Sequence, residues 1–260
     1  MLDFLPEAAI FDLDGTLLNT LEDLAGSVNY ALAATGLQAL PVDYVRLMVG
    51  QGISRLLHRA YVFTAACPES AGQVPLTPDT LTKLDLTAAD QPAEARLAQK
   101  FYRYYGEHCL DQTRPYAGVE QALDAWRKQG VQLAVLSNKE DRLACRIIHH
   151  YFGRQLFAQV SGLKAGWPAK PDPASARDIL RRLRAKPAAS LFIGDSATDI
   201  QTARQAGCYP VGVGWGFRSA RELRQAGAAV LLQQPEELTA LLPLTPSPGV
   251  LPSREAGKTT

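Results

Sequence analysis

The stretch Ala8-Ala9-Ile10-Phe11-Asp12-Leu13-Asp14-Gly15-Thr16 is the most informative part of this chain. Its apolar run is typical of a buried strand in a parallel sheet, and it ends in two aspartates. Residues i and i+2 of an extended segment point to the same side, so both carboxylates are predicted at the carboxyl edge of the sheet, where open α/β proteins bind ligands. Two like charges this close need a cation or a proton between them. One carboxylate of the pair Asp12 and Asp14 is therefore a candidate nucleophile and the other a candidate proton donor, beside a divalent ion. The alternative is a helix-capping aspartate followed by a turn.

Length and composition exclude several classes of protein. The 260 residues are enough for an α/β core plus a smaller domain. A net charge of +1 gives no indication of a nucleic-acid or membrane partner. No apolar stretch is long enough to span a bilayer, and the amino terminus has no signal-peptide pattern. The four cysteines are scattered without metal-ligand spacing. We expect a cytoplasmic protein with reduced thiols, without a zinc site or disulfide framework.

Five apolar runs predict parallel strands separated by helices, which indicates a doubly wound, Rossmann-like α/β core. The runs are Ala8–Leu13, Val131–Leu136, Leu156–Val160, Leu191–Ile193 and Tyr209–Val213.

The interval 20–112 interrupts this alternation. Its apolar residues follow helical spacing, beginning after Thr20 as a plausible N-cap, and it contains no convincing strand. We therefore predict an α-helical cap domain at 20–112 inserted into a core formed by 1–19 and 113–243. Within the cap, 64–92 is predicted to be a long loop insertion, and the Pro/Ser/Thr-rich tail 244–260 is predicted to be disordered.

Three further segments fall where the carboxyl edge of the sheet is expected. Ser137, in Leu136-Ser137-Asn138-Lys139, is suited to bind a phosphate oxygen or to cap a helix. Lys170, beside a predicted helix start, can offset the negative charge of a phosphoryl group. Asp195, in Gly194-Asp195, can complete the oxygen ligands of Mg²⁺, with Asp199 supporting it from behind. The alternative for Asp195 and Asp199 is an N-cap and a first-turn acid.

Together the segments FDLDGTLLNT, LSNK, KPDP and GDSATD resemble the four ordered motifs of the haloacid dehalogenase superfamily. The resemblance extends over Pro6–Leu242. The early helical cap, its VGQG turn (Val49–Gly52) and the later GVGWGF (Gly212–Phe217) are similar to the phosphoglycolate phosphatase branch.

The resemblance implies a role for each matching residue. Asp12 would attack phosphorus and form an aspartyl-phosphate, and Asp14 would protonate the leaving alcohol and then activate water. Ser137 and Lys170 would hold the phosphoryl oxygens. Asp12, Asp195 and the backbone carbonyl of Asp14 would coordinate Mg²⁺.

The implied activity is a Mg²⁺-dependent phosphomonoester phosphatase acting on a small metabolite such as 2-phosphoglycolate. Asn138, Gly50 and Arg55 are further candidates for substrate binding, although the favoured interpretation of Arg55 is a solvated helix residue. Two alternatives remain open: a phosphosugar mutase similar to β-phosphoglucomutase, and a catalytically silent regulatory protein with the same fold. The chain is expected to be a monomer or a homodimer.

Overall fold

The computed structural model describes residues 2, 4–66, 77 and 91–242. Six parallel strands form one sheet in the order β5-β4-β1-β6-β7-β8, and two short strands, β2 and β3, pair antiparallel beside it. The predicted α/β fold with a Rossmann-like parallel sheet is confirmed. The strands are β1 Ala8–Phe11, β2 Leu18–Asn19, β3 Arg114–Pro115, β4 Gln132–Glu140, β5 Gln159–Leu163, β6 Ser190–Gly194, β7 Tyr209–Val213 and β8 Val230–Leu232.

Helices cover both faces of the sheet. In the described ranges they are α1 Leu21–Ala33, α2 Val42–Met48, α3 Ile53–Ala66, α4 Gln91–His108, α5 Val119–Lys128, α6 Asp141–Phe152, α7 Ala174–Leu183, α8 Ala197–Ala206, α9 Ala220–Ala226 and α10 Glu237–Ala240. None of them is long and apolar enough to cross a membrane.

Alternation along β1 divides the core into two layers. Ala9 and Phe11 belong to the larger cluster, where the ring of Phe11 meets Trp126 of α5 edge-on at 5.9 Å between centroids. Ala8 and Ile10 belong to the cluster beneath α7 and α8. Because β1 is buried on both faces, it reads as a continuous apolar run and not as an alternating one.

The structure corrects three strand predictions. The first strand ends at Phe11 instead of Leu13, and the strand predicted at Leu156–Val160 lies at Gln159–Leu163. Phe157 is buried but precedes this strand, so the apolar run marks the approach to the sheet. The edge strand β8 was not predicted, since only three of its residues pair.

The register of the central strands brings the sequence motifs together. Phe11 lies opposite Val135 on β4 and Ile193 on β6. Asp12 therefore leaves the sheet beside Ser137 and Asp195, each two residues beyond the partner of Phe11. This edge is covered by the helices of the 20–112 segment.

The chain passes between the sheet and these helices at β2 and β3, which lie next to the predicted boundaries. Buried Asp23 fastens this junction: its carboxylate accepts hydrogen bonds from the amides of Gln112 and Thr113 at 2.9 and 2.8 Å and from the Thr113 hydroxyl at 2.7 Å. Thr20 precedes α1, but its side chain makes no capping hydrogen bond. The capping expectation was wrong because the hydroxyl donates to Asp14 instead.

The division of the chain at 1–19, 20–112 and 113–243 stays a prediction. Two ends of the predicted 64–92 loop are helical, because α3 continues to Ala66 and α4 begins at Gln91. The remainder of that loop, apart from Thr77, and the tail 244–260 lie outside the described residues.

Candidate active site

A cavity lies between the carboxyl edge of the sheet and the 20–112 helices. Both sides contribute to its lining, with charged and polar groups on the sheet side and mainly apolar groups on the other. The lining residues are Asp12, Asp14, Leu24, Val49, Gly50, Gly52, Ile53, Leu56, Ser137, Asn138, Lys139, Lys170, Asp195, Ser196, Phe217 and Arg218. Most of the predicted site residues therefore share one cavity.

Three buried carboxylates form the centre of the site. One oxygen of Asp12, one of Asp195 and one of Asp199 all lie within 4.8 Å of one another. Burial, followed by the nearby charge of Asp199, raises the pKa of Asp12 to about 7. Burial and the charges of Asp199 and Asp12 also raise the pKa of Asp195 well above its usual value. This crowding of oxygen ligands fits a hard divalent cation, which would relieve the repulsion.

Lys170 supplies a positive charge next to this cluster. Its Nζ lies 2.8 Å from Asp12 Oδ1 and 2.6 Å from Asp199 Oδ1. Burial opposes its charge, but the two carboxylates outweigh that effect and raise the pKa of Lys170. The pKa of Asp12 nevertheless ends above its ordinary value, because burial and Asp199 outweigh the attraction of one lysine.

Asp195 and Asp199 are held by groups of the strand-end loops. The backbone N–H of Phe217 donates to Asp195 Oδ2 at 2.7 Å. Ser196 caps α8, and both its amide and its hydroxyl donate to Asp199 Oδ2. The alternative of Asp195 as an N-cap is therefore wrong, whereas Asp199 is a first-turn acid that also contacts Lys170.

Glycines make room for Asp195. Gly15 has φ of +83°, and a Cβ there would lie 2.3 Å from Asp195 Oδ2. A Cβ on Gly216 would lie 2.3 Å from the Cβ of Asp195. Both positions require glycine, because a side chain would displace this carboxylate.

Asp14 is surrounded by a different set of contacts. The hydroxyl of Thr20 donates to Asp14 Oδ1 at 2.6 Å, and Lys139 Nζ lies 3.1 Å from the same oxygen. Lys139 also donates to the hydroxyl of Tyr105 on α4 at 2.8 Å. Burial opposes the charge of Lys139, but Asp14 and Tyr105 outweigh burial and raise its pKa.

Ser137 and Asn138 are buried residues in the last part of β4. Ser137 lines the cavity, and its Oγ accepts a hydrogen bond from the Lys139 amide at 3.1 Å. It does not cap a helix, because β4 continues to Glu140, which caps α6. The side-chain nitrogen of Asn138 donates to the carbonyls of Gly50 and Lys170, and its side-chain oxygen accepts a hydrogen bond from the N–H of Lys170. Its side chain thus joins the two sides of the cavity through backbone groups.

The two cap candidates are placed differently. Gly50 lines the cavity, with φ of +113°. Arg55 is exposed and lies outside the lining. The arginine that does line the cavity is Arg218, on the loop after β7, whose guanidinium donates to three carbonyls at the carboxyl end of α2: those of Arg46, Leu47 and Val49. A cation there is favoured by the helix dipole and binds the cap to the core.

Sequence reasoning did not assign Lys139, Tyr105 or Arg218 to the site. Lys139 stands inside the quoted LSNK segment, so a signal was present. Tyr105 lies 34 residues from Lys139, and Arg218 lies 169 residues from Val49. Contacts over such separations follow from the tertiary arrangement and not from local spacing.

Comparison with known proteins agrees with the motifs. Residues 6–207 match the family model of haloacid dehalogenase-like hydrolases. A phosphoglycolate phosphatase of Haemophilus influenzae (strain 86-028NP) is 33% identical over 207 residues, which is 80% of this chain and 85% of the relative. A phosphoglycolate phosphatase of Neisseria gonorrhoeae is 30% identical over 241 residues, which is 91% of this chain and 90% of the relative.

Structural similarity extends over most of the chain. A crystal structure of a "predicted phosphoglycolate phosphatase" from Haemophilus somnus 129PT superposes with a TM-score of 0.78 at 28% identity, covering 92% of this chain and 99% of the other. The resemblance seen in the four motifs is therefore confirmed. The chain belongs to the haloacid dehalogenase-like hydrolases, and within them it is a phosphatase similar to the phosphoglycolate phosphatases.

Proposed function

We propose that this protein is a Mg²⁺-dependent phosphomonoester phosphatase that acts through an aspartyl-phosphate on Asp12, with 2-phosphoglycolate as its substrate. The observation that carries the proposal is the separation of roles between two neighbouring carboxylates. Asp12 lies among buried acids and Lys170, whereas Asp14 is held by Thr20 and Lys139. One is therefore suited to attack and the other to transfer a proton.

In the first step, a carboxylate oxygen of Asp12 bonds phosphorus while the bond from phosphorus to the substrate's alcohol oxygen breaks. That oxygen keeps the electron pair and takes a proton from the Asp14 carboxyl group. In the second step, water attacks phosphorus, gives a proton to the Asp14 carboxylate, and releases the Asp12 carboxylate and inorganic phosphate. Proton transfer of this kind contributes about 10²–10⁴-fold to rate.

The residues around Asp12 fit a bound divalent ion. Asp12, Asp195 and the backbone carbonyl of Asp14 would hold it, with Asp199 behind them. When bound, Mg²⁺ would neutralise charge that accumulates on the phosphoryl oxygens. Lys170 and Ser137 would bind those oxygens from the protein side, because both line the same cavity.

The proposal of 2-phosphoglycolate rests on the relatives that carry this name. The cap side of the cavity presents Gly50 and apolar side chains, among them Leu24, Ile53 and Leu56. Direct substrate binding by Asn138 and by Arg55 stays a prediction. The side chain of Asn138 is engaged with the backbone of Gly50 and Lys170, and Arg55 lies outside the cavity lining. A cytoplasmic location and a monomeric or homodimeric state also stay predictions.

The test is release of inorganic phosphate from a panel of phosphorylated metabolites, ranked by kcat/KM, with and without chelator. We expect 2-phosphoglycolate to rank first, chelation to stop hydrolysis, and added Mg²⁺ to restore it. Transfer of labelled phosphate to a second sugar position would instead indicate a mutase. Absence of turnover on every phosphomonoester, with Mg²⁺ present, would refute the proposal and favour a regulatory role.

A further inference from the structure

We propose that Lys139 and Tyr105 are positioning residues for proton transfer: Tyr105 fixes Lys139, and Lys139 holds Asp14 by Oδ1 and leaves Oδ2 to exchange the proton with the leaving oxygen. The inference rests on the proposed function, because it assigns a task only if Asp14 serves as acid and base.

The contacts of Asp14 fall on one side of its carboxylate. Oδ1 receives the Thr20 hydroxyl at 2.6 Å and lies 3.1 Å from Lys139 Nζ. Within the described part of the chain, no side-chain hydrogen bond or ion pair to Oδ2 is found. The carboxylate also lines the cavity. One oxygen is thus anchored by two donors, and the other is available to a bound substrate.

Lys139 is itself fixed by the cap. Its Nζ donates to the hydroxyl of Tyr105 at 2.8 Å and lies 4.8 Å from the centre of the same ring. The side chain of Lys139 is 1% exposed, and Tyr105 is fully buried. An amine with this little freedom restricts the position of its carboxylate partner.

Stability alone does not explain a lysine here. Removing an ammonium group from water is costly, and well-packed apolar residues in place of a buried ion pair are often neutral or stabilising. The site contains two such lysines, and they divide the two catalytic carboxylates between them: Lys170 contacts Asp12, and Lys139 contacts Asp14. The division parallels the two chemical tasks.

The arrangement also gives the cap a part in the chemical step. Asp14 follows β1, Lys139 lies near the end of β4, and Tyr105 belongs to α4 of the inserted segment. Through Tyr105 and Lys139, α4 reaches the proton-transferring group, although no residue of α4 is among those that line the cavity. A change on α4 is therefore expected to alter proton transfer and not only substrate binding.

The experiment exploits the leaving group. The departing oxygen of an alkyl phosphate must be protonated, whereas p-nitrophenolate leaves without a proton. The ratio kcat/KM reports the steps up to formation of the aspartyl-phosphate, so it includes this proton transfer. The experiment compares kcat/KM for 2-phosphoglycolate with kcat/KM for p-nitrophenyl phosphate, using the full chain with Lys139→Met or Tyr105→Phe. Asp14→Asn serves as reference. Tyr151→Phe is the matched control, since it also removes a tyrosine hydroxyl hydrogen bond, in this case a part-buried one to the Thr113 carbonyl at 2.6 Å.

We expect Lys139→Met to lower kcat/KM for the alkyl phosphate about tenfold more than for the nitrophenyl ester, a part of the full proton-transfer effect. Tyr105→Phe should show the same preference to a smaller degree, and Tyr151→Phe should show none. Equal losses on both substrates, or no loss, would overturn the inference. If Lys139→Met does not fold, the Tyr105→Phe ratio decides alone.

Failure of this inference differs from failure of the proposed function. If the wild type hydrolyses neither ester, or if Asp14→Asn shows no leaving-group preference, the proposed mechanism is wrong. If Asp14→Asn shows the preference and the Lys139 and Tyr105 variants do not, the mechanism stands and only their positioning role is rejected.

Discussion

Asp195→Asn should separate two effects on the stability of the fold: the destabilisation by the buried acid cluster without metal and the stabilisation by a bound ion. The substitution keeps the shape of the side chain and an oxygen that can accept the Phe217 N–H bond. It removes one of three carboxylates whose oxygens lie within 4.8 Å of one another. Because burial and like charges raise the pKa of Asp195, this residue should make the metal-free fold less stable as the pH rises. The metal-free variant should therefore melt at or above the wild-type temperature.

Addition of Mg²⁺ should reverse that order. An ion present at about 100 times its dissociation constant stabilises the folded state by about 2.7 kcal/mol. For a chain of this size each kcal/mol raises Tm by about 2–4 °C, so the wild type should gain roughly 5–10 °C. The variant should lose most of this gain, because Asp195 supplies one of the proposed ligands.

The assay is thermal melting at pH 8 in chelator and in Mg²⁺, with Asp124→Asn as the matched control. Asp124 is a surface acid paired with Arg127 and Lys128, so the same chemical change there should leave the Mg²⁺ shift intact. An equal Mg²⁺ shift in Asp195→Asn and wild type would refute the assignment of Asp195 as a ligand.

Three further predictions concern the same cluster. Asp12→Asn should abolish phosphate release while circular dichroism stays native; near wild-type turnover would exclude Asp12 as the nucleophile. The pKa of Asp12 is raised from 3.8 to about 7. Between these pH values the folded state holds a proton that the unfolded chain has lost, so the free energy of unfolding of the metal-free protein should fall by a few kcal/mol as pH rises through that window. Denaturant titrations that show a rise would contradict this. Gly216→Ala should lower the free energy of unfolding by about 1–3 kcal/mol and remove most activity, because its Cβ would lie 2.3 Å from that of Asp195. The control Gly26→Ala, whose Cβ would have no atom within 4 Å, should be neutral or stabilising by up to about 1 kcal/mol. Equal unfolding free energies for both variants would reject the steric argument.

The central strands could be predicted because they are buried on both faces and therefore read as unbroken apolar runs. The edge strands were less accessible to the same reasoning. Every residue of β5 is only partly buried, so its pattern is weak, and the apolar Leu156 and Phe157 before it drew the prediction three residues too early. β8 pairs through only three residues at the other edge.

The strand-end motifs predicted that the acid cluster and Lys170 lie together, because parallel strands in register bring their carboxyl ends to one edge of the sheet. They did not give the surroundings of Asp14. Thr20 had the local signature of a helix cap, and only the folded chain shows that its hydroxyl is taken by Asp14. Tyr105 and Arg218 reach the site through packing between distant segments, which no spacing in the sequence encodes.

The side-by-side crossing at β2 and β3 has a consequence for how such proteins can diversify. Leu18 pairs with Pro115 and Asn19 with Arg114, so about ninety intervening residues leave and rejoin the sheet-bearing body at neighbouring points. Because both connections lie at this one crossing, we expect that exchanging the inserted segment for the counterpart from a homologue would leave the order and alignment of the six strands unchanged. Chimeras joined at this crossing offer a direct route to new selectivity on an unchanged reaction centre, provided that the incoming segment retains a tyrosine to meet Lys139.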